Sequence, residues 1–153
     1  MNTSTALKGI YKIEASFLSI QDCTMFNDLQ AESTRRKLTK LQDNKLHITL
    51  IHQSCLKALS KKVKKGQELI EPELPVLNLN KGIIGVAMDL HPNSGKTRET
   101  VRLILCDEDQ TSLKEYVNEF CALNGVELTP LEEQRVFHIS FSNRTGEPGD
   151  SVR

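Results

Sequence analysis

Two short stretches of the chain alternate apolar and polar positions, and each carries a histidine and a hydroxyl on its polar side. In residues 45–51, His47 and Thr49 fall on one face of a strand and Ile48 and Leu50 on the other, because side chains alternate with period two. Residues 135–141 repeat the pattern, with His138 and Ser140 set against Ile139 and Phe141. Alternation also predicts a first strand over residues 8–15. Residues 82–90 and 100–106 read as a hairpin around the polar turn 91–96. Helical spacing takes over elsewhere. Leu56, Leu59 and Val63 predict a helix over 54–65, ended by Gly66. Leu113, Val117, Phe120 and Leu123, with Tyr116 beside them, predict a helix over 109–123, stopped at Asn124-Gly125. Phe26, Leu29, Leu38 and Leu41 are compatible with a helix within 24–41. Residues 71–75 hold two prolines and read as a linker, and residues 143–150 as a loop. This order of elements predicts an α+β fold.

Composition narrows the picture. A chain of 153 residues with 38% hydrophobic content suits one globular domain, or two small lobes sharing one chain. Twenty basic and twenty acidic residues cancel, which excludes a general nucleic-acid coat. No apolar run has membrane-spanning length, and residues 1–5 lack the pattern of a signal peptide, so the expectation is a cytoplasmic protein away from membranes. Cys23, Cys55, Cys106 and Cys121 are scattered, without a Cys-x-x-Cys pair, and are expected as reduced thiols, Cys106 and Cys121 in the core. Gly95-Lys96-Thr97 is not a phosphate loop, because Leu90 stands where that loop needs glycine. His52 and His91 have no carboxylate or cysteine at metal-ligand spacing and are expected at the surface; neither a metal nor a cofactor is expected. The lysines of residues 57–65 read as a solvated face or as a rim attracting an anion.

The chemistry available is that of two imidazoles and two hydroxyls. Imidazole serves as general base or acid near neutrality, and hydroxyls donate to developing negative charge. That set suits acid–base displacement at phosphorus. Tyr11 is a candidate platform for stacking a base, and Arg144 a candidate phosphate ligand just past the second motif.

His47-Ile48-Thr49-Leu50 and His138-Ile139-Ser140-Phe141 resemble the paired motifs of the two-histidine phosphoesterases. That family includes bacterial RNA 2′,5′-ligase-like enzymes, cyclic nucleotide phosphodiesterases, and phage enzymes that degrade the cyclic oligonucleotides of bacterial defence. The resemblance rests on the two motifs; the spacing of elements between them and the chain length also fit. It implies one domain over residues 1–153, built as two pseudo-symmetric lobes with two antiparallel sheets, outer helices and a central cleft. It also implies a metal-independent phosphodiesterase in which His47, Thr49, His138 and Ser140 are catalytic. The implied partner is a small nucleotide, with no stable nucleic-acid complex. Short length and neutral charge favour a cyclic di- or trinucleotide, as in phage counter-defence, over RNA ends with 2′,3′-cyclic phosphate or 2′,5′ linkages. The rival from another class is a non-catalytic module that binds a nucleotide or protein.

Overall fold

The longest strands come from the alternation on either side of the polar turn at residues 91–96. β4 (Ile83–Leu90) and β5 (Thr97–Ile104) pair antiparallel from Ile83↔Ile104 to Leu90↔Thr97. β5 therefore starts three residues before the expected position, and the Arg98–Asp89 ion pair at 2.6 Å closes across the added rungs. His91 organises the turn: its Nδ1 accepts the Asn93 N–H at 3.1 Å and the Ser94 N–H at 3.3 Å.

The structure, a computed structural model, describes residues 12–14, 23–42, 45–51, 53–66, 68–128 and 133–152. The remaining strands are β1 (Lys12–Glu14), β2 (Thr39–Lys40), β3 (His47–Thr49) and β6 (His138–Asn143). The described strands form one six-stranded sheet in the order β1-β3-β6-β5-β4, with β2 also paired to β6. The pairings of β2, β3 and β5 with β6, and of β4 with β5, are all antiparallel. Three helices accompany them: α1 (Phe26–Arg35), α2 (Gln53–Lys64) and α3 (Asp107–Leu123). The fold is α+β with an antiparallel sheet. The chain divides into two compact units, one comprising Met1–Ile13, Thr49–Leu77 and Asp107–Phe137, the other Glu14–Ile48, Asn78–Cys106 and His138–Arg153.

The second unit holds β2, β4, β5, β6, α1 and most of β3. Its core lies between α1 and one face of the sheet. Leu29, Ile48, Val101, Leu103, Ile139 and Phe141 are fully buried. Phe26 meets Phe141 edge-on at 5.6 Å between ring centroids, and Ser33 Oγ shares a hydrogen bond with Ser142 Oγ at 2.6 Å. Helix α1 is shorter than the leucine spacing suggests. Lys37 takes a left-handed φ of 59°, Leu38 N–H donates to the Ser33 carbonyl and Lys37 N–H to that of Thr34. These two bonds are a Schellman stop. The stop satisfies the last carbonyls and frees the chain to run into β2, just past which Leu41 is buried with its N–H donating to the Phe141 carbonyl at 2.9 Å.

The first unit holds α2 and α3. Leu113, Tyr116, Val117, Phe120 and Cys121 form the buried stripe of α3; Leu123, expected in it, is exposed in the helix's final turn. Gly125, at φ 66°, stops the helix as Val126 N–H donates to the Cys121 carbonyl. Leu59 of α2 is buried while Lys57, Lys61, Lys64 and Lys65 are exposed, as a solvated face requires. Val76 is 97% exposed, and Leu79 is buried at the start of a 3-10 turn, Leu79–Lys81, in the second unit. Among the described residues no helix is long and apolar enough to cross a membrane.

Candidate functional site

The site begins with one backbone pairing. Ile48 of β3 stands opposite Ile139 of β6, and both side chains are fully buried. Alternation therefore turns the residues on either side of each isoleucine to the other face of the sheet. Stepping one residue from the Ile48↔Ile139 rung sets His47 across from Ser140, with His138 on the same face. Thr49 closes β3 on the face of His47. All four motif side chains are partly exposed. The antiparallel rung acts as a local two-fold axis, and diagonal neighbours on one face lie about 7–8 Å apart between Cα atoms. His47 and His138 are such a pair.

The chain is held just upstream of each histidine. His47 Nδ1 lies 2.8 Å from the Lys45 carbonyl oxygen, which can only accept, so Nδ1 donates a proton to it. His138 follows Phe137, whose N–H donates to Gln110 Oε1 at 2.7 Å while Gln110 Nε2 donates to its carbonyl at 2.8 Å. The amide of Gln110 thus mimics a neighbouring strand and holds the chain just before β6.

Ser140 sits at a β-bulge. Arg102 of β5 pairs with Ser140, but Val101 pairs with Ser142, which leaves Phe141 as an extra residue. Phe141 and Ser142 consequently both reach α1, through Phe26 and Ser33, while Ser140 keeps the face of the histidines. β6 also runs two residues past its expected end, to Asn143. The buried Asn143 side chain accepts the N–H groups of Thr145 and Gly146 and donates to the Glu147 carbonyl and Ser151 Oγ, which ties down the turn-rich tail.

The same register adds a residue the motifs do not include. Arg102 lies across β5 from Ser140 and Ile104 across from His138, both on the histidine face. The Nε of Arg102 is shielded from solvent and has no hydrogen-bond partner among the described residues. A buried donor left unmade costs about 1–3 kcal/mol. Gly85 stands opposite Arg102 on β4, and the Ile104 side chain packs over it: a Cβ there would come within 2.7 Å of Ile104 Cδ1. Alternation with Val101 and Leu103 already puts Arg102 on a polar face in the sequence, but only the register makes Ser140 its neighbour.

Of the expected ligand residues, Tyr11 lies outside the described residues. Arg144 is exposed, as the first residue after β6. His52 also lies outside the described residues. Two hollows are formed elsewhere. One of about 360 Å³ is lined by Lys62, Ile70 and Asn124 in the first unit. The other, of about 540 Å³, is lined by Glu32, Arg35, Ile84 and Val86 on the α1 side of the second. Neither is lined by a motif residue. No group of three or more His, Cys, Asp or Glu among the described residues is arranged to hold a metal ion. Comparison with protein-family models, with curated proteins and with solved structures finds no match to this chain.

Proposed function

We propose that the face carrying His47, Thr49, His138 and Ser140 is an acid–base site for phosphodiester cleavage, of the two-histidine phosphoesterase kind. Within that class the protein is proposed to open cyclic di- or trinucleotides, in the manner of phage enzymes that destroy defence signals. The observation that supports this most is the Ile48↔Ile139 rung, which sets both imidazoles on one face of adjacent strands. The bilobed architecture with a central cleft belongs to the same proposal.

In the mechanism, one neutral imidazole takes a proton from the attacking hydroxyl, the neighbouring ribose 2′-hydroxyl for an internucleotide linkage or water for a 2′,3′-cyclic phosphate, as its oxygen bonds to phosphorus. The other, protonated, gives a proton to the departing ribose oxygen as the old P–O bond breaks. Thr49 and Ser140 donate to the non-bridging oxygens as charge builds there. No step requires a metal. Neutral net charge supports a small substrate over long RNA.

The test is a panel of cyclic dinucleotides, cyclic trinucleotides and RNA ending in 2′,3′-cyclic phosphate, incubated with chelator. Cleavage is expected, and His47→Ala and His138→Ala should each lower it by about 10²–10⁴-fold with binding largely retained. Binding without turnover across the panel would favour the non-catalytic module instead. Strict dependence on a divalent ion would contradict the mechanism.

A further inference from the structure

We infer that Arg102 is an anion-binding residue of this face, gripping a non-bridging phosphate oxygen from β5 while Ser140 donates from β6. The inference rests on the phosphodiesterase reading for the identity of the anion as a phosphodiester. Its own support is geometric. The Arg102↔Ser140 pairing places the two residues on neighbouring strands and one face. Neighbouring strands lie about 5 Å apart, well within the reach of an arginine side chain.

Charge economy points the same way. Arg98 is paired with Asp89, Arg35 with Glu32, and Arg36 with Glu32 and Glu99. Arg102 is in no ion pair among the described residues, and its Nε is a shielded donor with nothing to receive it. A planar guanidinium fork matches two oxygens of a phosphate, and such charge-assisted bonds are shorter and stronger than neutral ones. A phosphodiester over Ser140 would supply the acceptor that the described residues lack. The His138–Ser140 half of the face would then hold the anion more tightly than the His47–Thr49 half.

The experiment titrates inorganic phosphate into wild type, Arg102→Gln, Arg102→Lys and, as a control on α1, Arg35→Gln, following binding by calorimetry and the arginine Nε–H resonances by NMR. The same proteins are assayed on the cyclic dinucleotide cut best in the panel. The Arg102 Nε–H resonance should move on titration. Arg102→Gln should weaken phosphate binding and lower kcat/KM by about 10- to 100-fold, with Arg102→Lys between it and wild type and Arg35→Gln unchanged. Phosphate binding that depends on Arg102, in a protein that cuts nothing in the panel, would keep the anion site and remove the phosphodiesterase reading. Turnover by wild type with Arg102→Gln within twofold would keep that reading and overturn the inference. An Arg102 resonance unmoved by phosphate overturns it too, whether or not the variants fold.

Discussion

The chain is anchored just upstream of each histidine. The Lys45 carbonyl sets the tautomer of His47, and Gln110 pins the residue before His138 from both its N–H and its C=O. The second device has a measurable cost. Gln110→Ala would leave two backbone groups of the buried Phe137 without these partners, and unfolding in denaturant should show a loss of about 1–3 kcal/mol. A change below about 0.3 kcal/mol would mean the amide is not holding the strand. Neither anchor is visible in the chain itself. Lys45 acts through its backbone, so its identity carries no signal. Gln110 sits on the helix α3, far in sequence from the residue it grips.

At the scale of elements, the end of α1 decides where β2 begins. Lys37 occupies a left-handed position that favours glycine, and a β-carbon there is strained. Lys37→Gly should raise stability by about 0.5–1 kcal/mol in thermal or denaturant unfolding; a loss of stability would show that the lysine side chain matters more than its backbone. The same helix is fastened to β5 through charge. Arg36 bonds Glu32 within α1 and Glu99 on β5, at 2.7 and 2.9 Å. Hydrogen bonds from Arg35 and Arg36 lower the Glu32 carboxyl to a pKa of about 2. A depressed carboxyl stabilises the fold above its ordinary pKa of 4.5, and that contribution is lost as pH falls toward 2. Glu32→Gln should therefore narrow the stability difference between pH 7 and pH 2.5, and an unchanged acid dependence would contradict the assignment.

At the scale of the whole molecule, local patterns and distant pairings part company. Alternation around His47 and His138, the stripe of α3 and its Asn124-Gly125 stop depend only on neighbouring residues, and all are readable from the chain. The helix expected through Leu41 was not separable from a strand, because Leu38 and Leu41 serve either period and Lys37 gives no breaker signal. Nor could spacing tell that Ile48 meets Ile139, that a bulge falls at Phe141, or that Arg102 stands beside Ser140, since register is set by packing between distant segments. What the motifs propose as two copies of one half-site, the sheet joins at a single rung.

The most direct test of that union is a double-mutant comparison. Turnover of one cyclic dinucleotide is measured for wild type, His47→Ala, His138→Ala and the variant carrying both changes. Two imidazoles serving one phosphorus atom act as a unit, so each single change should cost at least about 10²-fold in kcat and the pair no more than the worse single. Losses that multiply, or a single variant with undiminished turnover, would contradict the account.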